Sequence, residues 1–260
     1  MPATVRILIV EDDPHDAALA ERQIRRADIF CTFLRVDTRD AMVVALREFT
    51  PDVILTDHSL PTFSARDALQ VAQQLSPGTP VIVVTGRLGD EPAVQYLQLG
   101  AADYVVKDHL HRLGPAVLRA LDLKRTREAQ ARAQQLQAAT YRVAQAAIGT
   151  PGLPDLLPAV HQIVGELMPA QNFYIALYDP VHDLLSFPYA ADERDEDFQS
   201  KKPGKGLTEY VLRTGQPLLV TPEVQTELER RGEVELIGAP SIDWLGVPLK
   251  TGDRTPGAYV

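Results

Sequence analysis

Val53-Ile54-Leu55-Thr56-Asp57 decides how the first half of the chain folds. Strand-forming residues run without interruption and stop on a carboxylate. An unbroken apolar run of this length reads as a strand buried on both faces, as in a parallel sheet. Asp57 then stands where the strand leaves the sheet, and open α/β sheets bind ligands at the carboxyl ends of their strands.

Working outward, three more apolar runs end in the same way. Arg6-Ile7-Leu8-Ile9-Val10 leads into Glu11-Asp12-Asp13, Val81-Ile82-Val83-Val84 into Thr85-Gly86, and Tyr104-Val105-Val106 into Lys107. In one parallel sheet these carboxylates, the hydroxyl and the ammonium converge on one rim. Asp12, Asp13 and Asp57 are hard oxygen ligands of the kind Mg²⁺ takes. A metal there would orient a phosphoryl group, with Asp57 as nucleophile and Lys107 and Thr85 contacting phosphate oxygens.

These residues, in this order and spacing, resemble the receiver domain of two-component response regulators over roughly residues 4–123. The carriers are Glu11-Asp12-Asp13-Pro14, Thr56-Asp57 with Ser59-Leu60-Pro61, Val84-Thr85-Gly86, and Gly100 through Lys107. The resemblance implies a flavodoxin-like, doubly wound sheet of five parallel strands. It implies Asp12, Asp13 and Asp57 at the metal, Asp57 as phosphoacceptor, Thr85 and Lys107 at the phosphate, and Tyr104 as the aromatic switch. It also implies a histidine kinase or phosphotransfer protein as partner. Many receivers have proline after the lysine; here Asp108 follows, so a cis peptide is not expected there.

Between these strands the pattern is helical. Helices are expected over 14–27, from a Thr38 cap to Phe49, over 65–75 and over 91–99, with Gly100 as a C-cap and a loop over 86–90. A fifth begins near Leu113 and has no stop before Ile148-Gly149-Thr150-Pro151-Gly152. Leu118, Leu121, Ala129, Ala133, Leu136, Val143 and Ala147 form a thin seam along it. That seam suggests a parallel coiled coil with a second copy, hence a homodimer.

After Pro151 the pattern changes to an amphipathic helix over 153–168, a hairpin over 172–189, an acidic loop over 190–199, and further short strands and helices, including a strand from Ile242. Asn172 through Tyr178, Gly204-Lys205-Gly206-Leu207-Thr208 with Thr214-Gly215-Gln216-Pro217, and Ser241 through Leu249 resemble a GAF domain over roughly 152–260. That resemblance implies an α+β domain with an antiparallel sheet, an unknown small-molecule ligand and frequent dimerisation. Residues 152–260 contain no cysteine, which excludes a bilin attached there. The expected division is a receiver over 1–123, a linker over 124–150 and a GAF domain over 151–260. The GAF domain is expected to be incomplete at its C-terminal end, with any catalytic output module beyond Val260.

Composition narrows the classes. A formal net charge of −9 argues against a broad nucleic-acid surface. One cysteine permits no intrachain disulfide, which fits a cytoplasmic location. No apolar run spans a bilayer, so no membrane partner is expected. Lys201-Lys202-Pro203-Gly204-Lys205-Gly206 lacks the Ser/Thr of a phosphate loop and reads as a turn. The rival reading is a dehalogenase-type phosphatase with an aspartyl phosphate intermediate. It needs an acid two residues after the nucleophile, where this chain has Ser59. The function expected is therefore a phosphoacceptor switch and not an enzyme.

Overall fold

The computed structural model describes residues 4–86, 90–150, 152–192, 198–235, 243–252 and 254–260. The loop expected over 86–90, the acidic stretch over 190–199 and the strand start at Ile242 fall partly or wholly outside these residues. The chain divides into two compact units, Met1–Arg132 and Ala133–Val260.

The first unit alternates strand and helix: β1 Val5–Val10, α1 Pro14–Arg25, β2 Cys31–Val36, α2 Arg39–Glu48, β3 Val53–Asp57, α3 Ala65–Leu75, β4 Val81–Thr85, α4 Asp90–Gln98, β5 Asp103–Val106. The five strands are parallel, in the order β2-β1-β3-β4-β5. Every residue of β3 and β4 is buried, as their unbroken apolar runs require.

Alternation along each strand sends side chains to two cores. Leu8, Val10, Ile54 and Val83 pack with Met42 of α2 and Leu69 of α3. Ile7, Ile9, Leu55 and Ile82 pack on the opposite face with Ile24 of α1 and with Leu113 and Val117 of the next helix. The helices start on side-chain caps: Asp13 for α1, Thr38 for α2, and a full Ser64–Asp67 capping box for α3. Past α4, Gly100 takes φ +96°, and a Cβ there would meet Gln73 Nε2 at 2.7 Å. Ala101 N–H donates back to Tyr96 O, closing the helix end.

Lys107–Arg112 forms a 3₁₀ segment, and α5 then runs 37 residues, Leu113–Gly149. Its first turns belong to the core of the first unit, and Leu121, expected in the linker seam, is buried there. Farther along, Leu123, Leu136, Tyr141 and Ile148 are exposed. Among the described residues no helix is long and apolar enough to cross a membrane.

The second unit contains α6 Leu153–Leu167, β6 Phe173–Asp179, β7 Leu184–Ala191, α7 Leu207–Thr214, β8 Leu218–Val220, α8 Pro222–Arg230, β9 Trp244–Thr251 and β10 Arg254–Tyr259. Its sheet is antiparallel, in the order β7-β6-β10-β9-β8. The last strand in sequence therefore lies at the centre of the sheet. Leu157, Phe173 and Ile175 form its core with Val164, Leu249 and Tyr259. His161 stacks on Phe173 at 4.8 Å, with Nδ1 2.8 Å from Tyr189 Oη and Nε2 2.6 Å from Ala170 O.

Candidate phosphoacceptor site

Register assembles the site. Val10 pairs with Thr56, Asp57 with Val84, and Thr85 with Val106. The residues that end these strands, Glu11, Asp57, Thr85 and Lys107, therefore share the carboxyl rim. The order reverses between β1 and β3, which is where such sheets bind ligands. Glu11, Asp57 and Thr85 are buried.

Carboxylate oxygens of Glu11, Asp12 and Asp57 lie within 4.8 Å of one another. Close hard donors, with Asp12 exposed so that water can complete the shell, fit Mg²⁺. Asp13, expected among the ligands, is turned elsewhere: its Oδ1 accepts the His15 N–H at 2.7 Å and caps α1. Glu11 stands in the group instead, and its Oε1 accepts the Asp13 N–H at 3.2 Å. The acidic loop is held from the side by Arg35 of β2. Its Nη1 donates to Glu11 O at 2.8 Å and to Asp12 O at 3.3 Å.

Lys107 Nζ lies 2.9 Å from Asp57 Oδ1, 2.9 Å from Glu11 Oε2 and 2.5 Å from Asp16 Oδ2. Burial pulls the lysine pKa down. Hydrogen bonds to Asp16, Asp57 and Glu11 more than reverse this, holding the ammonium charged well above its ordinary range. Burial pushes the Glu11 carboxyl up; the bond to Lys107 opposes that, and the Asp57 charge adds to it. Asp57 Oδ2 accepts the Ser59 N–H at 2.9 Å. The residue two positions on thus meets Asp57 through its backbone N–H and not through an acid.

Tyr104 is half-buried and packs against the core that faces α2 and α3. The same core holds Tyr96 of α4, whose hydroxyl bonds to His58, the neighbour of Asp57. Sequence reasoning missed Glu11, Asp16, Arg35 and Tyr96. Only the first had a local signal: Asp13 before Pro14 is a helix N-cap followed by proline at the first helical position, which leaves Glu11 and Asp12 as the free pair.

The family model for the response regulator receiver domain matches residues 7–117, and that for the GAF domain matches residues 150–260. Similar curated proteins include the response regulator protein PilR of Pseudomonas aeruginosa, 36% identical over 125 residues, covering 46% of this chain and 26% of PilR. The DNA-binding response regulator MtrA of Mycolicibacterium smegmatis is 36% identical over 104 residues, covering 39% of this chain and 43% of MtrA. The chain thus spans less than half the length of these relatives. Among solved structures, the signal receiver domain of a LuxO repressor protein from Vibrio parahaemolyticus aligns with a TM-score of 0.45 at 26% identity, covering 49% of this chain and 97% of that one. The chain carries a response regulator receiver domain followed by a GAF domain.

Proposed function

We propose that the chain is a two-component signalling protein whose receiver takes a phosphoryl group on Asp57, with Mg²⁺ held by Glu11, Asp12 and Asp57. The observation that carries this is Lys107 Nζ 2.9 Å from Asp57 Oδ1 beside that carboxylate group. The donor is the phosphohistidine of a histidine kinase or phosphotransfer protein. An Asp57 oxygen attacks phosphorus, the bond from phosphorus to the donor's nitrogen breaks, and the imidazole leaves with that electron pair. Bound Mg²⁺ would neutralise carboxylate charge and orient the phosphoryl oxygens. Lys107 and Thr85 then bind oxygens of the acyl phosphate, and Tyr104 turns in response to the move of Thr85.

The output of this switch is proposed to pass along α5. The domains are taken as receiver 1–123, linker 124–150 and GAF 151–260. A second copy pairs with the exposed part of α5, which carries Leu136, and the GAF domain holds a small molecule or a second GAF copy. Intact-mass analysis after treatment with a small phosphodonor and Mg²⁺ tests the acceptor. One added phosphoryl group is expected, absent without Mg²⁺ and absent in Asp57→Asn. An adduct that persists in Asp57→Asn would overturn the assignment.

A further inference from the structure

An ammonium has three N–H donors, and in Lys107 all three are directed to carboxylates: Glu11, Asp57 and Asp16. Two of these belong to the group that can share a metal. Asp16 does not. It lies in the first turn of α1, where the Asp13 cap and Pro14 fix the helix start. It is hydrogen-bonded to the Lys107 ammonium, and it lines the same small cleft as Glu11, Asp57 and Lys107.

A phosphoryl oxygen can reach Lys107 only by replacing one of these partners. The Asp57 bond passes to the new group, since Asp57 carries it. Glu11 is drawn toward the metal. Asp16 has no competing role and remains. It therefore keeps the ammonium beside Asp57 and also offsets part of its charge. That charge has opposite consequences for two ligands. A fourth carboxylate near the site favours a divalent cation and weakens the pull of Lys107 on a phosphoryl dianion.

We propose that Asp16 is a positioning residue for phosphoryl transfer, tethering Lys107 and setting the balance between Mg²⁺ binding and phosphoryl retention. This rests on Asp57 being the phosphoacceptor. Titration calorimetry on the whole chain measures Mg²⁺ affinity, and then beryllofluoride affinity at saturating Mg²⁺ as an equilibrium mimic of the phosphoryl group. Asp16→Asn keeps a carbonyl oxygen to tether Lys107 but removes the charge, so it is expected to weaken Mg²⁺ binding and tighten beryllofluoride binding, each by about three- to tenfold for one charge at a partly exposed site. Asp16→Glu is expected to restore both toward wild type, and Asp16→Ser serves if the Asn variant does not fold. Shifts in the same direction, or none in a folded variant, would overturn the proposal. Wild-type protein that binds neither Mg²⁺ nor beryllofluoride would instead overturn the phosphoacceptor reading beneath it.

Discussion

The hydroxyl of Tyr96 lies 2.8 Å from Nδ1 of His58, so α4 is tied to the residue beside Asp57. The rings meet edge to face at 5.6 Å, and Tyr96 is 8% exposed. His58 N–H donates to Val84 O at 2.8 Å, which fixes the other end of the tie to β4. Burial raises the Tyr96 pKa; Arg66 opposes this and Tyr104 and Asp57 add to it, so the phenol stays protonated and available. Tyr96→Phe should cost the receiver about 1 kcal/mol, the net worth of one such bond. It should also speed amide exchange in α4. Denaturant unfolding and hydrogen exchange measure both; unchanged protection in α4 would show that the tie does not hold the helix.

Ile54 is fully buried between β3 and the helices on one face of the receiver sheet. Ile54→Ala should destabilise that unit by about 2–5 kcal/mol. The chain's one tryptophan, Trp244, lies in the other unit. Circular dichroism should show an early receiver transition, while the Trp244 fluorescence midpoint stays at its wild-type position. A shifted fluorescence midpoint would mean that the two units unfold together.

Alkaline pH should destabilise the GAF unit through Tyr174. Burial raises its pKa, against hydrogen bonds to Thr208, 2.8 Å away, and Trp244. The folded state therefore holds the phenolic proton more tightly than the unfolded chain does. The stability that this group contributes is fully present below the ordinary tyrosine value and is lost as pH rises through the folded value. Stability measured against pH above 10 should fall more steeply for wild type than for Tyr174→Phe. Equal slopes would assign the loss to other groups.

Along α5, the exposed part carrying Leu136 lies beyond Leu121, which the receiver core claims. Sedimentation should show a dimer that weakens on Leu136→Glu and responds to beryllofluoride. A monomer at high concentration, with and without the mimic, would exclude pairing through this helix.

Much of this was legible because buried parallel strands are written as unbroken apolar runs. The runs ending at Val10, Asp57, Thr85 and Val106 named four strands and the rim they share. The length of α5 was legible for want of any breaker between Pro115 and Gly149. Side-chain partnership was not. Asp16 and Lys107 are 91 residues apart, and His58 and Tyr96 are 38 apart. Periodicity assigns a residue to a face but not to a partner across the sheet. Adjacent acids hid another distinction: Glu11, Asp12 and Asp13 differ by where β1 stops, and one residue of register separates a member of the carboxylate cluster from a helix cap. The central place of β10 was equally hidden, since sequence order does not set antiparallel neighbours.

The central claim is that Asp57 carries the phosphoryl group. Borohydride reduces an acyl phosphate to an alcohol, so it converts a phosphorylated aspartate to homoserine. Phosphodonor-treated protein, reduced and digested, should show homoserine at position 57 alone, and only when Mg²⁺ was present. Homoserine at Asp12 or Asp13, or none at any position under conditions that phosphorylate a control receiver, would contradict the account.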